Sequence, residues 1–116
     1  MSENRLPDNL DHIRQAASDA FSFVEGMDKV DFLADKRTQS AVVMCLIIIG
    51  EAAVNVMDRH PDFAGSHPEI HWRDMRGMRN RIAHGYFDID LDMVWDTTRS
   101  QLPDLITHLT GICEGG

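Results

Sequence analysis

Little in this chain of 116 residues suits a disulfide framework or a membrane span. It holds two cysteines, Cys45 inside an apolar run and Cys113 near the end, a usage that fits reduced packing thiols. The longest uncharged apolar run, Ala41 to Ile49, ends after nine residues at Gly50 and Glu51, short of the roughly 20 a membrane helix needs. Residues Met1 to Arg5 combine neither a basic start nor an apolar stretch, so no secretory signal is expected and the cytoplasm is the expected compartment. Strand-like alternation, internal repeats and low-complexity tracts are missing too, which leaves an all-helical fold as the expectation.

Positive charge is also scarce. With 11 basic against 19 acidic residues the formal charge is −8, which excludes coating of nucleic acid or an anionic membrane by the whole surface. Any such contact must be local, and Arg73, Arg76, Arg79 and Arg81, opposed only by Asp74, form the one basic island. The hydrophobic fraction of 43% and the charged fraction of 26% are ordinary for a globular protein, and the length predicts a single domain over residues 1–116.

Apolar residues recurring by threes and fours from Leu6 to Val24 predict a first helix over about residues 6 to 25, with Pro7 in its first turn and Gly26 past its end. A short helical turn fits Asp28 to Ala34. The second long helix is expected from near Asp35 to just before Pro61. Within it, Ala41 to Ile49 is apolar on every face. A small bundle hides one stripe per helix, so a full apolar circumference predicts a partner chain. Gly50, Ala52 and Ala53 permit close approach of another helix, and Glu51 is either enclosed with a partner or a charge on an exposed edge. Phe63 to Pro68 reads as a loop. A further helix is expected from about Ile70 to Ala83, capped by a left-handed Gly85, and a last one from near Asp90 with a kink at Pro103.

The segment Arg79-Asn80-Arg81-Ile82-Ala83-His84-Gly85-Tyr86 joins three groups suited to phosphate chemistry. A guanidinium fork grips phosphate oxygens, an imidazole moves protons near neutral pH, and a phenol donates or is modified. Spacing alone is weak evidence: nine Arg and six His in 116 positions give about half a chance match to any fixed Arg-to-His spacing, and Arg5 and His12 satisfy a looser pattern. The basic island, the helix end and the chain's single tyrosine distinguish the second match. Without more, a solvated helix end explains it as well.

Phe32-Leu33-Ala34-Asp35-Lys36-Arg37-Thr38-Gln39-Ser40-Ala41, Ile49-Gly50-Glu51-Ala52-Ala53, the run Trp72 to Phe87 and Asp90-Leu91-Asp92-Met93-Val94-Trp95 together resemble HepT toxins of the HEPN superfamily, in the family's order and over nearly the whole chain. The resemblance implies a dimeric, antiparallel HEPN bundle of four to five helices. It implies a metal-independent endoribonuclease, needing no cofactor, with an Arg-x4-His-x-Tyr motif on Arg79, His84 and Tyr86. As partners it implies an RNA substrate and a minimal nucleotidyltransferase antitoxin that attaches AMP to Tyr86, the arrangement of a type VII toxin–antitoxin pair. Arg79 and His84 lie about 140° apart on a helix, so two chains are expected to complete one site.

Asn80 shares the face of His84 and is a candidate supporting residue, against the plainer reading of a surface amide. Arg73 and Arg76 are candidate RNA-backbone contacts, with ion pairing to some of the acidic residues as the alternative. No metal site is expected, because Pro68 interrupts the His67/His71 pair. Trp72, Met75, Met78 and Trp95 are expected in the core. The competing functional reading is a non-catalytic HEPN module that binds RNA or nucleotide beside a nucleotidyltransferase.

Overall fold

A computed structural model describes residues 5–115, except the side chains of Tyr86 and of residues 113–115, so the packing role expected for Cys113 lies outside the described residues. The chain is all-helical there, with no strand among the described residues. Helix α1 (Leu6–Phe23) buries Leu10, Ile13, Ala16, Ala17 and Ala20, and gives way to Gly26 at φ +78°. Helix α2 (Lys29–Ala34) opens with a reciprocal cap: the Asp31 amide donates to Asp28 Oδ1 at 2.9 Å and the Asp28 amide to Asp31 Oδ2 at 3.2 Å. Asp35 starts α3 (Lys36–Arg59) by accepting from the Thr38 amide at 3.1 Å and the Thr38 hydroxyl at 2.8 Å, which holds its carboxyl below the usual range.

Helix α3 is the centre of the fold, packed on α1 along one side and on α5 (Trp72–His84) along another. Its 24 residues, with a mean hydropathy of 2.1 over their most apolar window, meet the length and composition of a membrane span. Half of that window is buried inside the fold. Leu46, Ile49, Ala53 and Val56 have essentially no exposed surface, and burial pushes the Cys45 thiol up. The expected burial of Ala41 to Ile49 on every face does not hold within one chain. Met44 is 57% exposed and Ile48 40%, one turn apart on the face that neither α1 nor α5 covers.

Three local expectations are corrected. Residues 63–66 are not loop but the end of a short helix, α4 (Pro61–Ser66), because Pro61 cannot continue α3 yet suits a first helical turn. Helix α5 begins at Trp72 rather than Ile70, behind the segment 67–71 whose His67 carbonyl accepts the Trp72 indole N–H at 3.2 Å. Gly85 is not left-handed: its φ is −112°, its N–H closes on Arg81 O at 2.9 Å, and the chain continues into a 3-10 turn over Tyr86–Asp88. A Cβ at Gly85 would lie 3.0 Å from Arg81 O, so the residue answers to crowding rather than to backbone conformation.

Asp90 caps α6 (Leu91–Asp96), as expected, by accepting the Met93 amide at 3.1 Å. The irregularity expected at Pro103 appears just before it, as a π turn over Thr97–Gln101 whose closing bond runs from the Leu102 amide to Thr97 O. Pro103 has no N–H for the Arg99 carbonyl, and a wider turn ahead of it re-registers the helix into α7 (Leu102–Gly115). The Arg99 guanidinium lies over the rings of Phe21 and Trp95, 5.7 and 5.5 Å from their centroids, tying this turn to α1 and α6. Helix α7 closes the bundle against α1.

Candidate active site

Helix α5 carries the basic island. Asp74 in its first turn and Arg81 and His84 in its last complement the helix dipole. Trp72, Met75, Met78 and Ile82 recur by threes and fours and are buried, which fixes the rotation of the helix. Of Trp72, Met75, Met78 and Trp95, only Trp95 is half-buried, as are Leu91, Leu105, Ile106 and Ile112 of the last helices. The rotation places Arg79 at the seam with α3 and leaves Arg73, Arg76, Arg81 and His84 exposed, with Asn80 half-buried.

At that seam Gly50 of α3 meets Arg79 of α5. A Cβ on Gly50 would collide with Arg79 Cβ and approach the Met75 carbonyl oxygen to 3.0 Å, so only glycine admits the arginine stem here. Glu51, the next residue, places Oε1 3.2 Å from Arg79 Nη1. The arginine side chain is 25% exposed and the glutamate 58%. The Arg79 Nε–H is buried and donates to no acceptor among the described residues. Glu51 is therefore on an exposed edge, as one reading expected, and not enclosed, although it does have a partner. Sequence spacing did not name its partner; Gly50 beside it was the available signal.

His84 is the last residue of α5, exposed and five positions from Arg79. The two side chains leave the helix in directions about 140° apart. One chain thus holds Arg79 firmly and presents His84 openly, without turning both to one point. The backbone of Tyr86 stands in the 3-10 turn after His84; its side chain, the expected AMP acceptor, lies outside the described residues.

The exposed arginines face two depressions. Arg73 and Arg81, one turn to either side of Gly77, edge a cavity of about 370 Å³ that Gln101, Asp104 and His108 close from the opposite side. Arg73 and Arg76 also border a shallower groove toward α4. Glu69, Asp74 and Asp104 line the first cavity together with Arg73 and Arg81, so its walls are not uniformly basic. The sequence pattern placed Leu102, Leu105 and Ile106 on the last helix, but it did not single out Gln101, Asp104 or His108 as site residues. The His67 and Glu69 side chains pair at 3.0 Å, and backbone bonding together with that contact lowers the Glu69 carboxyl.

The profile of the Ribonuclease HepT-like family matches residues 13–112, and the chain belongs to this family. It is 41% identical over 98 residues to "Probable ribonuclease HepT" of Thermococcus cleftensis, covering 84% of this chain and 86% of that protein. It is 33% identical over 100 residues to "Putative RNase MJ0127" of Methanocaldococcus jannaschii, covering 86% and 80%. "Putative RNase TTE0752" of Caldanaerobacter subterraneus subsp. tengcongensis is 32% identical over 96 residues, with 83% of each chain covered. No solved structure matches the chain.

Proposed function

We propose that the chain is a single-domain, cytoplasmic endoribonuclease that acts as a homodimer without a metal ion or cofactor, the toxin of a type VII HEPN and minimal nucleotidyltransferase pair. One observation carries the reading: in a family of ribonucleases, this chain ends a basic helix with an exposed His84 one and a half turns beyond a guanidinium held at a tight helix seam. A ribose 2′-hydroxyl attacks the adjacent phosphorus while His84 takes up or returns a proton, and Arg79 stabilises the charge gathering on the phosphoryl oxygens. The bond to the leaving 5′-oxygen breaks, giving a cyclic phosphate and a 5′-hydroxyl. Asn80 supports His84, and Arg73 and Arg76 follow the RNA backbone.

The divergence of Arg79 and His84 on one helix favours a site completed by a second copy. Met44 and Ile48, exposed on α3 within two turns of Glu51, supply the apolar surface for that contact. In the antitoxin reaction the Tyr86 phenol attacks the α-phosphorus of ATP and releases pyrophosphate, leaving a bulky anion where RNA phosphate would sit. Protein co-expressed with the transferase is expected to gain whole AMP units on Tyr86, while Tyr86→Phe stays active; mass spectrometry finding AMP on serine or threonine contradicts this.

The deciding experiment is cleavage of RNA by unmodified protein in excess EDTA. Activity that vanishes with EDTA and returns with a divalent ion overturns the metal-free route. Absence of any cleavage, with transferase binding retained, assigns the chain to the non-catalytic module instead.

A further inference from the structure

The pairing of Glu51 with Arg79 is more than a surface contact. An isolated, half-exposed ion pair contributes little to stability, and Glu51 keeps more than half of its surface in water. What sets this pair apart is the arginine's confinement. Its stem lies over Gly50, where no other residue would leave room, and its Nε is buried without an acceptor among the described residues. A buried N–H without a partner is unfavourable. The guanidinium is therefore held by the seam and by the contact of Nη1 with the Glu51 carboxylate, not by a bond at Nε.

We propose that Glu51 is a positioning residue for Arg79: carried to the α3–α5 seam beside Gly50, its carboxylate fixes the direction in which the guanidinium meets the RNA phosphate. This rests on the reading of Arg79 as the group that stabilises the phosphoryl oxygens. The carboxylate's charge works against binding of a polyanion, while its hold on the guanidinium serves the reaction step. Removing it should therefore lower kcat without raising KM, a split that a merely structural residue would not produce.

The test uses the full-length, unmodified protein and a short fluorescent RNA, with Glu51→Ala, Glu51→Gln, Gly50→Ala and Arg79→Ala compared with the parent. Glu51→Ala is expected to lose on the order of ten- to a hundred-fold in kcat with KM unchanged or lower, the scale of a displaced catalytic group. Glu51→Gln, which keeps an acceptor oxygen, should recover part of that loss. Gly50→Ala, which changes no charge, should lower kcat by pushing the arginine stem aside; if it fails to fold, the Glu51 variants still decide. In the NMR spectrum the Arg79 side-chain Nε–H resonance should shift and exchange faster in Glu51→Ala. Parent-like kcat in Glu51→Ala beside an inactive Arg79→Ala overturns the positioning role and leaves the nuclease reading intact. Full activity in Arg79→Ala overturns the reading beneath it. A kcat loss that follows loss of the dimer by light scattering, with the Arg79 Nε–H unchanged, also overturns the proposal.

Discussion

Along α5, Met75, Met78, Arg79 and Ile82 turn toward the protein, whereas Arg73, Gly77 and Arg81 turn toward the open cavity in front of α7. The two faces hold the same residue type under opposite constraints. Arg79 is pinned over Gly50 and paired with Glu51, while Arg73 and Arg81 stand in solvent at a cavity edge. A guanidinium that loses its freedom on folding is ready for a directional task in the reaction, and one that keeps it suits a diffuse attraction to phosphate. The contrast agrees with the proposed division of chemistry to the inner arginine and affinity to the outer ones.

Breaking the inner side and the helix end should have the largest effect. Arg79→Ala and His84→Ala are each expected to reduce RNA cleavage about a hundred-fold or more while leaving helicity unchanged, measured by initial rates and circular dichroism. Full activity in both variants would remove the contrast altogether. Next comes the packing that sets the rotation of α5. Ile82 is essentially without exposed surface, so Ile82→Ala should cost about 2–5 kcal/mol in denaturant unfolding, whereas Arg81→Ala, one residue away, should stay within about 0.5 kcal/mol. Equal costs at the two positions would mean that the outer face is packed as tightly as the inner.

The comparison sharpens further if the second copy is tested directly. Ile48→Glu is expected to yield a folded monomer, since that side chain is already 40% exposed, and to lose cleavage along with the dimer in light scattering. A monomeric yet active variant would show that one chain suffices. The smallest effect belongs to the cavity edge. Replacing Arg73 and Arg81 together by alanine should weaken RNA binding several-fold and lower the slope of log affinity against log salt by about one per lost phosphate contact, with kcat preserved. A change in kcat larger than that in affinity would move these arginines into the reaction.

Much of this architecture was legible before any fold. Leu6 to Val24 announced α1 by period, helix starts were expected near Asp35 and Asp90, which the fold shows as side-chain caps, and Trp72, Met75 and Met78 declared the inward face of α5. These signals are local, because capping and periodicity act within a turn or two. Other features were misread for the same reason. A proline that ends one helix also starts another, as at Pro61, and a glycine after a helix need not be left-handed when the preceding helical turn crowds it, as at Gly85. The exposure of Met44 and Ile48 within a run that is apolar all round depended on which neighbours reached α3.

By itself the sequence determined an all-helical chain, the position of α5 and the placing of Arg79, Asn80, His84 and Tyr86 around its end, since each follows from side-chain pattern and short-range hydrogen bonding. Tertiary structure alone decided that Glu51 meets Arg79, that Gly50 makes room for it, and that Arg73 and Arg81 face an open cavity. Those outcomes join residues far apart in the chain through the packing of α3 on α5, and the rotation of two helices against each other is set by their whole buried faces rather than by any one residue's neighbours.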